Sequence, residues 1–488
     1  MADLLGIGKT GLFASKKAME TTGHNIANVN TEGYSRQRVK QTTGIPITQQ
    51  GLVKGTGTRI LSVNRFHDEF IERRLNKELT NSEFLKQRVN HLNQIEGVFN
   101  EIDTDGLNNL LNKFFNSFRE LAGQPENETM RMVIRDNARM VVRDFRRIHN
   151  TLTNIAKSID QSFQSNVQDI NAQLKSIANL NKEILRIEQL GGGETGDLRD
   201  QRDQSVRNLS KLFEVHTYMD NKNNFVVSAK GVGTLVAAGE YSELIAGPAT
   251  KEKSTSGIGG SVELYYKERQ IVPITHRFKG GALSSLVKIR NDDIKKLKHE
   301  IDQSAFEFAN MVNAIHRRGH VSRQIPTDSQ GNPASHDDRG PTSGINFFKE
   351  PIMVEDASIN LSLSGDIMAD MTNISTGLKA NSPGDNRIAL AISKIQHEKI
   401  LNNGTATIEE QYLHTVAQLG METGKARFDF EQAEGLLAQA KSVKERLVGV
   451  SLDEEAANMM RYQHAYSAAA KVMKSAETMF DTILNIKR

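Results

Sequence analysis

Both ends of this chain carry an apolar residue at every seventh position, and that spacing limits what the ends can become. Near the N-terminus the row is Leu5, Leu12, Met19 and Ile26. Gly8, Ser15 and Thr22 follow at an offset of three, and Val29 continues that row. Near the C-terminus the row is Leu452, Met459, Tyr466, Met473 and Phe480, with Tyr462, Ala469, Ala476 and Ile483 at the same offset. A seven-residue repeat keeps such residues on one face of an α-helix, as in a coiled coil. The small residues allow close helix approach. Chain ends usually lose order, but two matched amphipathic helices can pair and bring the ends together. Each would still offer surface to other chains. A short helix with an uncovered apolar face is marginal alone. The ends are therefore expected to be disordered or loosely helical in a free chain, and to fold as neighbours complete the core.

Between the ends the pattern alternates. Residues 36–65 are rich in Gly and Thr, with β-like runs such as Thr58 to Val63. Phe66 to about Asn100 reads as helix. Residues 126–190 contain neither Gly nor Pro. There Ile134, Val141, Ile148 and Ile155 step by seven, joined by Ala138, Phe145, Leu152 and Ile159. The stripe resumes as Phe163, Val167, Ile170, Leu174, Ile177 and Ile184 after a four–four stutter, which relaxes left-handed supercoiling. This predicts one helix over at least 134–184, ended by Gly191, Gly192 and Gly193. A shorter helix through Leu198, Val206, Leu209 and Leu212 follows.

Residues 213–282 alternate and turn often, and read as β. Helix returns from Leu283 to His316. Residues 320–382, with Pro326, Pro333, Pro341 and Pro351, read as loop and short strands such as Ile359 to Leu363. Helices resume near Asn386, with Gly420 and Gly424 as weak points. The expected fold is mainly α with a β-rich insertion: an elongated, multi-domain chain of nested, discontinuous domains with the terminal helices paired. The expected domains are 1–40 with 450–488 (terminal helices), 41–212 with 283–320 and 380–449 (long-helix bundle), 213–282 (β insertion), and 321–379 (loop and short strands).

Composition narrows the function. Lys plus Arg number 62 and Asp plus Glu 59, a net charge of +3 in 488 residues. That balance argues against a nucleic-acid partner. No apolar run is long enough to span a membrane, so membrane insertion is not expected. The first residues lack the basic and apolar regions of a secretory signal peptide. Cysteine is absent, which suits a cytosolic chain or one exported without oxidative folding. Tryptophan is also absent, in keeping with slim domains.

The sharpest local motif is Asn25-Ile26-Ala27-Asn28-Val29-Asn30-Thr31-Glu32-Gly33-Tyr34-Ser35. Asparagine competes for backbone hydrogen bonds, and Gly33 tolerates positive φ. The stretch should end the first helix and turn the chain in one fixed way. Enzyme motifs are thin. His316 and His320 are four apart, but Gly319 intervenes and no third metal ligand is evident. Asp103-Thr104-Asp105-Gly106 lacks the later glutamate of a calcium loop and reads as a helix cap. Gly231-Val232-Gly233 reads as a hairpin turn rather than a dinucleotide site. His67-Asp68-Glu69 opens a helix. No catalytic residue, metal or cofactor is expected.

The string NIANVNTEGYS resembles the N-terminal signature of the flagellar axial proteins: rod, hook and hook-associated subunits. Its continuation through Arg36-Gln37-Arg38 resembles the hook-associated protein 1 branch. Residues 195–215 (TGDLRDQRDQSVRNLSKLFEV), the segment beginning KGGALSSLVKIRNDDI, and the C-terminal tail from SLDEEAANMMRYQHAYS onward are similar to that family. The resemblance implies a structural subunit outside the cell, at the junction of hook and filament. It implies export in unfolded form by the flagellar type III apparatus, and a cytosolic chaperone on the C-terminal region. The implied partners are other copies of the chain, the hook protein and a second hook-associated junction protein. The axial motif residues are Asn25, Asn28, Asn30, Thr31, Gly33 and Tyr34. The expected assembly surface is Leu5, Leu12, Met19, Ile26, Leu452, Met459, Tyr466, Met473, Phe480 and Ile483. The alternatives are a hook or distal rod subunit, a wall hydrolase on an axial scaffold, and a cytosolic coiled-coil adaptor.

Overall fold

The computed structural model describes residues 2–49, 52–99, 106–191, 193–248, 262–268, 272–401 and 404–486. In chain order the elements begin with helix α1 (Ala2–Ala27) and strands β1 (Gln37–Thr43), β2 (Ile47–Gln49), β3 (Leu52–Lys54) and β4 (Thr58–Arg65). Helices α2 (Glu69–Val98), α3 (Leu107–Gly123), α4 (Glu128–Gln189) and α5 (Gly196–Leu212) follow. Then come β5 (Val215–Met219), β6 (Phe225–Ala229), β7 (Gly233–Ala237), β8 (Glu240–Tyr241), β9 (Leu244–Pro248) and β10 (Val262–Tyr266). Helices α6 (Gly281–Lys288) and α7 (Lys295–His316) flank a π-helical stretch, Ile289–Ile294. Two-residue strands β11 (His336–Asp337) and β12 (Gly340–Pro341) lead to α8 (Ala357–Asn360), α9 (Gly365–Ala369) and α10 (Arg387–Lys394). The last helices are α11 (Ile408–Val448) and α12 (Leu452–Ile486).

The fold is mainly α with β insertions, as the patterning indicates. Helix α4 is longer than the stripe required: 62 residues, or about 93 Å at 1.5 Å per residue. Its stripe is buried from Ile134 to Ile184, except that Ile155 is half-buried. Gly191 and Gly193 adopt φ of 77° and 76° beyond its end, while Gly192 lies outside the described residues. Asp103, Thr104 and Asp105 also lie outside them. Gly106 precedes α3 without a side-chain cap.

One local expectation needs correction. Ile359 to Leu363 is not a strand: Ala357–Asn360 forms a helical turn, and Leu363 makes only an isolated bridge to Phe348. Apolar alternation over five residues cannot separate a strand from one buried turn. Gly420 and Gly424 both lie inside α11, which runs on through them. The π-helical stretch was invisible to periodicity.

The chain divides into two compact units. One comprises Met1–Leu85, Phe163–Ser284 and Phe430–Arg488; the other comprises Lys86–Ser162 and Ser285–Asp429. In the first unit β1 pairs antiparallel with β4, and β5 to β8 form a four-stranded sheet in sequential order. Gly231, at φ 85°, turns the β6–β7 hairpin. Asn171 of α4 clamps β9 by donating to the Leu244 carbonyl (2.7 Å) and accepting its N–H (2.9 Å). Leu75, Leu79, Leu437 and Ala440 pack where α2 meets α11.

The Gly280–Gly281 pair lets the chain pass the end of α5. Gly281 sits at φ 67°, and a Cβ there would lie 2.4 Å from the Leu212 carbonyl carbon. Backbone cannot yield as a side chain can. Gly281→Ala is therefore expected to cost about 2–3 kcal/mol, read from urea denaturation. A loss below about 0.5 kcal/mol would contradict this.

In the second unit a cluster of phenylalanines anchors the core. Phe114, Phe115 and Phe118 of α3 and Phe308 of α7 meet Phe347 and Phe348, mostly edge to face, with Phe114 and Phe308 5.4 Å apart. Such offset geometry suits the ring quadrupoles. Buried Asn313 holds the Phe347–Phe348 segment by bonding both the N–H (2.8 Å) and the carbonyl (3.0 Å) of Phe348.

Candidate assembly interface

Helices α1 and α12 pack antiparallel. Gly8 lies against Met473, Gly11 against Ala469 and Gly23 against Met459. A Cβ on Gly8 would stand 2.8 Å from Met473 Cγ, so glycine sets the closeness of the pair. The buried residues of α1 are the small ones: Gly8, Ala14, Ser15, Ala18, Thr21, Thr22 and Asn25. Ser15 and Thr21 return their hydroxyl protons to the carbonyls of Gly11 and Lys17, both at 2.9 Å. Their burial therefore leaves no unmet donor.

The large heptad residues flank this seam. Leu12, Met19, Ile26, Met459, Tyr466 and Met473 are half-buried, while Leu5, Leu452, Phe480 and Ile483 are exposed. Leu4, Ile7, Phe13, Met460, Met479 and Leu484 are exposed as well. The register explains part of this. With Gly8 opposite Met473, Ala2 falls opposite residue 479, since six steps back on one helix are six forward on the other. Phe480, Ile483 and Leu484 run past that point. The free ends were expected to stay loose until neighbours arrive. In this structure each end takes partial cover from the other.

The Asn-rich motif forms the polar lock at the opposite end of the pair. The Asn25 side chain is 1% exposed. Its Oδ1 accepts the Gln37 N–H (2.9 Å) and the Tyr34 hydroxyl (2.8 Å). Its Nδ2 donates to the Gln37 carbonyl (2.9 Å) and to Glu455 Oε2 (3.0 Å). All four hydrogen-bonding positions of the amide are used, and they join α1, β1 and α12. Asn28 Nδ2 donates to the His24 carbonyl at the helix end (3.0 Å), and Thr31 Oγ1 donates to Asn28 Oδ1 (3.1 Å). Gly33 adopts φ 84°, and a Cβ there would meet Arg207 at 2.6 Å. Asn30 is exposed.

The lock extends into α5. Asp200 accepts both the Ser35 N–H (2.8 Å) and the Ser35 hydroxyl (2.7 Å). Arg65 of β4 donates to Asp200 (2.6 Å) and Asp203 (2.7 Å). Gln37 Nε2 donates to Asp197 (2.6 Å). Arg36 pairs with Glu454 and lies 4.6 Å over the Phe66 ring. Burial would lower the Arg65 guanidinium pKa, but Asp203 and Asp200 outweigh it and raise it. Burial, then Asp197, Asp200 and Glu455, raise the Tyr34 phenol, which therefore stays a neutral donor. Asp200, Arg65 and Glu455 were not singled out from sequence. The D-x-x-D-x-x-D spacing of Asp197, Asp200 and Asp203 was the available signal, because steps of three share one helix face.

The His316–His320 pair is not a metal site. His316 is fully buried, its Nδ1–H donating to the Ile345 carbonyl (2.7 Å) and its Nε2 accepting the Ser375 N–H (3.0 Å). Burial pushes its pKa down to about 4. Between pH 6.5 and that value the unfolded chain takes up a proton that the native chain refuses, so acid weakens the fold. The slope is about 1.4 kcal/mol per pH unit at its steepest. His316→Gln is expected to flatten it in urea titrations between pH 7 and pH 5. An unchanged slope would contradict the assignment.

Three family models match parts of the chain. Residues 92–331 match the family model described as the flagellar hook-associated protein FlgK helical domain. Residues 5–34 match the flagella basal body rod protein model, and residues 447–486 match the flagellar basal body rod FlgEFG protein C-terminal model. The chain is 29% identical to flagellar hook-associated protein 1 of Bacillus subtilis (strain 168), over 99% of this chain and 97% of that one. It is 23% identical to flagellar hook-associated protein 1 of Salmonella typhimurium, over the full length of both. The flagellar hook junction protein FlgK from Burkholderia pseudomallei shares the fold, with a TM-score of 0.62 at 14% identity, covering 78% of this chain and all of that one.

Proposed function

Because this chain is a full-length relative of flagellar hook-associated protein 1, we infer that it is a structural subunit of the bacterial flagellum, laid down between hook and filament. The observation that carries this reading is the match of the helical middle to the FlgK domain, together with the paired terminal helices. The ends alone match models shared with rod proteins, which keeps a hook or distal rod subunit as the second reading.

In this account the chain works as a building block and not as an enzyme. It polymerises by burying the exposed apolar residues of α1 and α12 against neighbours: other copies, the hook protein below, and a second junction protein above. Burial stabilises by about 25 cal/mol per Å² of apolar surface, so several large side chains per subunit suffice for a firm joint. The chain travels unfolded through the flagellar type III channel, and a cytosolic chaperone covers the α12 region beforehand. No described helix is long and apolar enough to cross a membrane, so the subunit would be held by its neighbours. Gold-labelled antibody against the chain, viewed on isolated hook–basal bodies, tests the placement. Label confined to the distal end of the hook is expected. Label along the hook or on the rod would favour the second reading.

A further inference from the structure

The unit formed by Lys86–Ser162 and Ser285–Asp429 contains a side-chain cluster that assembly does not use. His149 of α4, Asp302 of α7 and Asp356, just before α8, each offer one donor atom, all within 4.8 Å of one another. The side chains of His149 and Asp302 are 5% and 6% exposed, and that of Asp356 is 63% exposed.

The hydrogen bonds fix the state of the imidazole. Asp302 Oδ1 accepts the Ser358 N–H (3.1 Å) and also the Ser358 hydroxyl. Asp302 Oδ2 accepts the Asp356 N–H (3.1 Å). Burial alone would raise the Asp302 pKa, but the bonds from His149 and Ser358 hold it below the usual carboxylate value. Having given its proton to Asp302, Ser358 Oγ can only accept from His149 Nδ1, 2.9 Å away. Nδ1 therefore donates, and Nε2 is the ring nitrogen turned toward Asp356. It points into the cluster, 3.7 Å from Asp356 Oδ1, with no hydrogen bond among the described residues.

A ring nitrogen and a carboxylate oxygen that face each other at this distance, with Asp302 beside them, can share a metal cation. The separation is longer than the roughly 2.7–3.2 Å of a direct hydrogen bond. It is near the span set by a shared metal ion. Bonds of about 2.0–2.1 Å to nitrogen and about 2.0–2.2 Å to oxygen place the two donors roughly 3.4 Å apart at the tetrahedral angle, and farther apart as that angle opens. We propose that His149 Nε2 and Asp356 form a binding site for a first-row divalent metal ion of the zinc type, with Asp302 as the orienting carboxylate. An imidazole ligand favours zinc over calcium or magnesium. Asp302 supplies the outer partner that metal-bound histidines commonly have. Asp356 is held at φ 60°, in the left-handed region, and its N–H bond to Asp302 keeps the carboxylate near the ring. Solvent reaches the Asp356 side and completes the shell. The ion would clamp the start of α8 onto α4 and α7.

The test uses the full-length chain, stripped of metal and titrated with Zn²⁺ by calorimetry, and with Co²⁺ by visible absorption. One saturable ion per chain is expected, with a cobalt spectrum showing nitrogen ligation. Asp356→Asn, which keeps the left-handed residue type and lies at the surface, is expected to weaken binding at least about ten-fold. His149→Ala is expected to remove the cobalt signal. Zinc should raise the melting temperature of the parent chain and not that of Asp356→Asn. Equal zinc affinity in the parent and Asp356→Asn would overturn the proposal, as would no saturation in the parent chain.

Discussion

Replacing Asn25 by alanine is expected to loosen the terminal helix pair by about 3–5 kcal/mol, well above the loss of one ordinary hydrogen bond. The amide serves four partners at once, and alanine strands all of them: the Gln37 N–H and carbonyl, the Tyr34 hydroxyl and Glu455. Each buried polar group left unpaired costs about 1–3 kcal/mol, and Glu455 carries a charge. Asn30, in the same motif, is exposed, so Asn30→Ala should change stability by no more than about 0.5 kcal/mol. Hydrogen exchange of the α1 and α12 amides reads the difference. Equal protection in the two variants would show that the motif is an ordinary helix stop and not a lock.

The second large effect concerns assembly. Phe480 and Ile483 are 55% and 49% exposed, so Phe480→Asp with Ile483→Asp should leave the melting temperature of the single chain nearly unchanged. In a polymer the same positions would be covered. Burying an unpaired carboxylate in apolar surroundings costs several kcal/mol, so incorporation is expected to fall more than a hundred-fold. Met459→Asp and Met473→Asp test something else. Both methionines face α1, so charges there should break the helix pair within the chain itself. Filaments on cells carrying the Phe480/Ile483 variant, at normal number, would remove the exposed face from the assembly surface.

Much of this fold was legible because helical periodicity is local. The α4 stripe from Ile134 to Ile184 could be read residue by residue, and so could the β character after Leu212. The terminal helices were legible too, and so was the row of small residues, Gly8, Ser15 and Thr22, that lets them approach closely. Apolar size pointed to Leu5, Leu12, Met19 and Ile26. The buried seam instead follows Gly8, Ser15, Ala18 and Thr22, because small residues permit the closest approach and large ones remain at its edges. The lock was half visible. The asparagine motif stood out and the acidic repeat of α5 did not, and their meeting through Ser35 and Asp200 spans 165 positions. Periodicity carries no such information. The tail resembled the hook-associated branch, but the matching model is shared with rod proteins. The helical middle separates the branches better.

The central claim is that this chain joins hook to filament. Its most direct test is deletion of the gene, followed by electron microscopy of the cells and assay of the medium for flagellin. The account predicts complete hooks without filaments, with flagellin lost to the medium and filaments restored by the intact gene. Normal filaments in the deletion strain, or missing hooks, would contradict it.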